Sequence, residues 1–278
     1  MISEVLLIGI DDTDDANGPG TGRRARELAT FLADSGLGMP QGVTRHQLLV
    51  DDRIPYTSHN SALCLALESA ALVSEVADSS RDFILRCSAE GSDPGLCVAR
   101  AATIHRTVVE FGYTAKQAIV LKSDALRLAK EHDVFLEELG GSGGGVIGAL
   151  AAVGLRASGG DGRFVESPGI RDLHEDCLSA RDILGRTSIN AIVDENGEAI
   201  LPDDLVHFGG WLRPTLRGGR PVLLVRKVID ASISSRTGCD AEEKGWVTIE
   251  HKHKSAGGSH KARNTFVSHR NSSSSGLG

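Results

Sequence analysis

Val5 to Ile10 is an unbroken apolar run, the mark of a strand buried on both faces. It stops abruptly at Asp11-Asp12-Thr13-Asp14-Asp15. A Gly18-Pro19-Gly20 turn follows, and Leu28, Phe31 and Leu32 then recur at helical spacing, so the first 35 residues read as strand, acidic loop, helix. Further strands are expected over 44–50 and 62–67, separated by a polar, proline-bearing loop from Arg53 to Asn60. Beyond these, 72–76 reads as a short helix, 83–85 as a strand, and 98–111 as a helix entered through the Pro94-Gly95 turn. Residues 118–121 read as a strand and 123–132 as a helix. Gly140-Gly141-Ser142-Gly143-Gly144-Gly145 then feeds a small-residue helix from Val146 to Val153. Residues 189–193 and 199–201 around Asn196-Gly197 suit a β-hairpin, and 221–228 and 246–250 suit two more strands. Strands and helices mixed in this way indicate an α+β fold. No internal repeat is present.

Composition narrows the class. With 278 residues, 40% hydrophobic and 24% charged, the chain has enough apolar material for one or two packed domains and is neither disordered nor membrane-embedded in type. The longest nearly uncharged apolar stretch, Gly143 to Leu155, falls short of the roughly 20 residues a membrane helix needs. Net charge is −7, which argues against coating nucleic acid by charge alone. Residues 251–278 hold five Lys or Arg, four His and no acid, so the body is more acidic than the total; this tail is expected to be disordered. The five cysteines form no C-x-x-C pair, which excludes a zinc ribbon. A start without a basic, apolar leader is expected of a cytoplasmic protein.

Candidate chemistry concentrates where the first strand ends. Clustered carboxylates need a counter-ion to stay charged away from water, and a hard divalent cation with oxygen ligands meets that need. Asp11, Asp12 and Asp14 are therefore candidate magnesium ligands, with an exposed acidic turn and helix cap as the plain alternative. Thr21, in the first turn of the next helix, is either a cap or a hydroxyl for phosphoryl transfer. The turn containing Gly18 and Gly20 and the loop containing Gly143 and Gly145 could each cradle phosphates through backbone N–H groups; the second loop also reads as a linker, and it lacks the G-K-[ST] of a Walker A motif. Arg45, His59 and Asn60 are candidate substrate contacts.

Ile8-Gly9-Ile10-Asp11-Asp12-Thr13-Asp14, followed by Gly18 and Thr21, resembles the start of the archaeal tRNA-Ile2 agmatinylcytidine synthetase family. The likeness continues through Ile54-Pro55-Tyr56, Asn60 and Asp93-Pro94-Gly95, and is strongest from Gly145 through Gly148 to Gly154. The resemblance implies a kinase-like ATP and magnesium domain (1–62 plus 138–185) interrupted by an inserted ferredoxin-like domain (63–137), with a β-rich region (186–250) and the tail (251–278) behind. It implies that Asp11, Asp12 and Asp14 hold Mg2+, that Gly18, Gly20, Gly143, Gly145 and Gly148 bind ATP, and that Thr21 and Asp12 are catalytic. The family activates a cytidine of tRNA with ATP and joins agmatine to it. Here Pro19-Gly20-Thr21-Gly22 replaces the family's Met-Cys-Thr-Thr run and Thr57-Ser58-His59-Asn60 its basic loop, and its OB-fold and zinc ribbon have no counterpart in these 278 residues. The expectation is thus an ATP-dependent, ligase-like enzyme whose acceptor is tRNA or a small amine. The alternatives are a stand-alone small-molecule kinase or ATPase, and a non-catalytic nucleotide-binding subunit working with a separate tRNA-binding partner.

Overall fold

In the computed structural model, residues 3–14, 20–54, 60–227 and 245–249 are described. Strand β1 (Glu4–Asp11) has an antiparallel neighbour on each side, which accounts for its continuous apolar run. Leu6, Ile8 and Ile10 enter one hydrophobic layer and Leu7 the opposite one. On one side lies β3 (Ser61–Ser69), itself paired with β2 (Met39–Gln47). On the other lies β4 (Gly95–Arg100), which pairs with β5 (Phe135–Glu138). Helices α1 (Thr21–Asp34) and α2 (Val73–Cys87) cover the Ile8 face through Leu28, Val76 and Ile84. Helices α3 (Arg106–Ala115), α4 (Lys122–Glu131) and α5 (Gly145–Ala157) cover the Leu7 face.

The sheet continues past β2 through β6 (Arg163–Glu166) into a third cluster. This part holds β7 (Cys177–Ser179), α6 (Ala180–Arg186), β8 (Ala191–Val193), β9 (Leu205–His207), β10 (Thr215–Arg217), β11 (Arg220–Lys227) and β12 (Trp246–Thr248). Among the described residues the strand order is β5-β4-β1-β3-β2-β6-β10-β11-β12-β9-β7, and β8 runs parallel to β11. The architecture is a mixed α/β fold around one large mixed sheet. β3 and β4, from the 63–137 stretch, flank β1 directly within that sheet.

Helix α5 lies nearest the sheet. It is buried almost all round, and Val146, Leu150, Val153 and Leu155 each contribute about 1.5–3 kcal/mol by leaving water. Small residues allow the approach: a Cβ on Gly9 would lie 2.1 Å from the Ala149 carbonyl oxygen.

Several expected elements differ. Residues 83–85 belong to α2, where Val76, Ala77, Ser80 and Ile84 recur with helical period, and not to a strand. Val98 lies in β4, so the expected 98–111 helix begins only at Arg106. Residues 118–121 pair with nothing as a strand, and the expected strand over 44–50 ends at Gln47. β5, which precedes the glycine loop, had no signal of its own. Gly18, His59 and the 251–278 tail lie outside the described residues.

Candidate active site

β1 delivers its acids into a cleft of about 450 Å³ that is shared by Asp11, Asp12, Asp14, Thr21 and Asp93. Asp12 turns the chain with φ +51°, a left-handed conformation that costs a residue with a Cβ about 1–2 kcal/mol. The turn is held because the Asp12 carbonyl accepts the Asp93 N–H at 3.2 Å. Burial, then the neighbouring charge of Asp12, pushes the Asp11 carboxyl well above the usual carboxylate range. Asp12 is raised too, by burial first and then by Asp93 and Asp14. Desolvation and like charge thus act in the same direction on both carboxyls.

Thr21 is the first residue of α1, and Gly20 occupies the cap position without a side-chain bond. The Thr21 hydroxyl does not cap the helix. It donates to Asp14 Oδ1 at 2.6 Å and accepts from Thr13 N–H (3.4 Å) and the Thr13 hydroxyl (3.3 Å). One donor and two acceptor sites are all a hydroxyl has, so the oxygen is fixed in place with its proton directed at Asp14. Gly22 has open space where a Cβ would be, and Gly20 meets only Asp14 Oδ2 at 3.6 Å.

The second glycine segment is arranged differently. Asp93 accepts from Gly143 N–H (2.6 Å), Gly144 N–H (3.2 Å) and Ser142 Oγ (2.5 Å), and its own carbonyl takes the Gly145 N–H at 3.2 Å. Burial opposes ionisation of Asp93, but those donors together outweigh it and hold the carboxyl below its ordinary value. The loop amides expected to meet phosphate are thus engaged by a carboxylate of the protein itself. Gly145 and Gly148 are packing glycines that also line the cleft: added Cβ atoms would lie 2.2 Å from the Asp93 carbonyl oxygen and 1.8 Å from Asp11 Oδ2.

Arg26, Arg45, Arg171 and Trp211 also line the cleft, as do the apolar Leu48, Ile54, Ile119 and Ile147. Arg45 donates to Ser61 Oγ at 2.9 Å, and burial lowers its pKa. Asn60 lines the cleft while its amide donates to the Leu49 carbonyl at 2.7 Å, tying down the end of β2. Arg171 pairs with Glu166 and lies over the Trp211 ring, 4.6 Å from its centroid.

The donor set is all oxygen and partly desolvated, which fits a hard cation such as magnesium. Among the described residues no group of three His, Cys, Asp or Glu side chains is placed to hold a metal ion, so the three aspartates do not converge on one point. Asp11, Asp12 and Asp14 line the same cleft, and one or two carboxylates are enough for a magnesium that keeps several waters.

Comparison with solved structures adds a likeness. The chain is similar to TiaS, a tRNA(Ile2) agmatidine synthetase. Over 54% of this chain and 36% of TiaS in its complex with tRNA(Ile2) and ATP, identity is 27% and the TM-score 0.48. Apo TiaS gives 25% and 0.47, and the complex with tRNA(Ile2), AMPCPP and agmatine gives 25% and 0.47. The chain spans about a third of the TiaS length. No family model and no curated protein matches, and no helix among the described residues is long and apolar enough to cross a membrane.

The structure brings together Asp11, Asp12, Asp14, Gly20, Thr21, Arg45, Asn60, Gly145 and Gly148 around one cleft, and Gly143 beside it through Asp93. Sequence reasoning passed over Arg171 and Trp211, and gave Asp93 only as part of a resemblance. Each reaches the cleft from a loop far along the chain, and no local pattern marks such a residue.

Proposed function

We propose that this chain is an ATP- and magnesium-dependent enzyme of the agmatinylcytidine-synthetase type, which uses phosphoryl transfer to activate an acceptor for conjugation. The observation that carries it is the Thr21 hydroxyl, fixed by Thr13 and pointing its proton at Asp14 2.6 Å away, within the same cleft as two carboxylates that burial and crowding hold above their ordinary pKa. Structural capping would not need that combination.

In this reading Asp11 and Asp12 hold the cation, and Asp14 receives the Thr21 proton as the hydroxyl engages the transferred phosphoryl group. Magnesium, when bound, supplies neutralisation of the phosphate charge. The open face at Gly20 and Gly22 lets phosphate approach the start of α1, where the helix dipole favours an anion. Arg26 and Arg45 add positive charge to the lining, and its apolar side chains suit a nucleobase. The acceptor, tRNA(Ile2) or a small amine such as agmatine, follows the ligands of the similar TiaS structures.

The test is incubation of purified protein with magnesium and ATP, resolving ADP, AMP, phosphate and pyrophosphate, with tRNA and agmatine supplied separately and together. Asp12→Ala is expected to abolish turnover. Thr21→Ala is expected to keep nucleotide binding and lose turnover by at least about a hundredfold. Full turnover in Thr21→Ala would remove its catalytic role. Tight magnesium-dependent ATP binding without turnover under every condition would instead favour a nucleotide-binding subunit.

A further inference from the structure

Arg26 on α1, Arg45 on β2 and Arg171 beyond β6 bring three guanidiniums to the lining of one cleft. Ile10 pairs with Leu63, and Leu63 with Arg45. Arg45 therefore stands two strands from the residue before Asp11, about 10 Å along the sheet, apart from the acids.

The three arginines differ in how far they are engaged. Arg171 donates to the Val165 carbonyl at 2.8 and 3.1 Å, pairs with Glu166 at 3.0 Å and lies over the Trp211 ring. Arg45 is half-buried, and the partner of its guanidinium is the neutral Ser61 Oγ. Among the described residues no carboxylate lies within ion-pair distance of Arg45 or Arg26. Burial lowers the Arg45 pKa, and burial followed by the charge of Arg26 lowers that of Arg171. Guanidiniums that are partly desolvated, and that repel one another, gain from an anion brought in from outside. A cationic amine meets repulsion at the same place.

Arg26 and Arg45 together offer two positive charges. A phosphomonoester carries about −1.5 to −2 at neutral pH, and the apolar Leu48 and Ile54 in the same lining suit a flat ring attached to it.

We propose that Arg26 and Arg45, with Arg171 held by Glu166 and Trp211 as a fixed third charge, form the acceptor subsite of the cleft, and that the acceptor is a small ring-bearing phosphomonoester and not a cationic amine. The role as acceptor rests on the ATP reading; the preference for the anion does not.

The test is titration calorimetry on the full chain saturated with magnesium and a non-hydrolysable ATP analogue, with phenyl phosphate, phenol and agmatine added in separate runs. Phenyl phosphate is expected to bind at least about tenfold tighter than phenol or agmatine, and to weaken as ionic strength rises. Arg45→Gln is expected to weaken phenyl phosphate about tenfold and the ATP analogue by clearly less. Absence of phenyl phosphate binding, or agmatine binding as tight, overturns the proposal. So does unchanged phenyl phosphate affinity in folded Arg45→Gln, or an equal loss of both ligands, which would give the arginine to ATP. If that variant fails to fold, the ranking of the three ligands on the wild-type chain decides alone. Failure of the ATP reading looks different: the analogue does not bind, while phenyl phosphate still titrates ahead of agmatine.

Discussion

Two glycine-bearing segments border the cleft, and they use glycine for opposite reasons. At the start of α1, Gly20 and Gly22 leave space open, with nothing within 4 Å of a Cβ on Gly22. At the start of α5, Gly145 and Gly148 close space, bringing helix backbone against Asp93 and Asp11. Gly143 and Gly144 meanwhile hand their N–H groups to the Asp93 carboxylate. A glycine-rich turn before a helix is therefore not one motif. The first residues of α1 leave room beside the backbone, and the α5 loop is already filled by the protein.

The largest stability effect separating them is expected at Gly145→Ala. Its Cβ would lie 2.2 Å from one backbone oxygen and 2.6 Å from the Gly95 nitrogen, and neither can swing away. A loss of about 3 kcal/mol is expected, at the upper end for overpacking, read from chemical denaturation. Wild-type stability in this variant would mean that α5 does not sit so close.

Asp93→Asn comes next. Replacing a charged acceptor of three donors is expected to cost about 1–2 kcal/mol, and limited proteolysis should then cut within 140–145 sooner than in wild type. It also removes a charge that holds the Asp12 pKa up.

Magnesium should act more gently and in a pH-dependent way. Because Asp11 and Asp12 are raised in the folded state, the native chain binds more protons than the unfolded one above the ordinary carboxylate range, and stability falls as pH rises through that window. A cation that neutralises these groups competes with protons. The rise in melting temperature on adding magnesium should accordingly be small at pH 4.5 and larger at pH 7.5. An equal rise at both pH values would separate the metal from these carboxylates.

The smallest effect is expected at Gly22→Ala. An unobstructed helical glycine gains roughly 0.5–1 kcal/mol on becoming alanine, while the added methyl intrudes on the open face and weakens ATP binding. Equal ATP affinity in wild type and variant would remove this face from the nucleotide site.

What could be read from the chain follows the same contrast between local and distant causes. β1 and α1 were legible because an apolar run and a helical spacing are each complete within a dozen residues. The acids and Thr21 were legible because they follow that strand directly. Residues 83–85 misled because a three-residue apolar cluster has no period of its own, and only Val76, Ala77, Ser80 and Ile84 together display the helix. Val98 to Arg100, the second half of β4, reads as helix because a short apolar run suits a central strand and a buried helix alike. The roles of Gly145 and Gly148 were hidden entirely, since what a missing Cβ makes room for depends on which backbone arrives opposite it.

The contact between α5 and the sheet also orders events in time. A helix buried on almost every side, between β1 and β4 beneath and α3 above, can expose its amides only when those elements part. In hydrogen exchange its central amides should be the last of the chain to trade with solvent, opening at the free energy of whole-molecule unfolding. Asp11 leans on Gly148 of that same helix. Asp11 thus rests against the segment expected to open last.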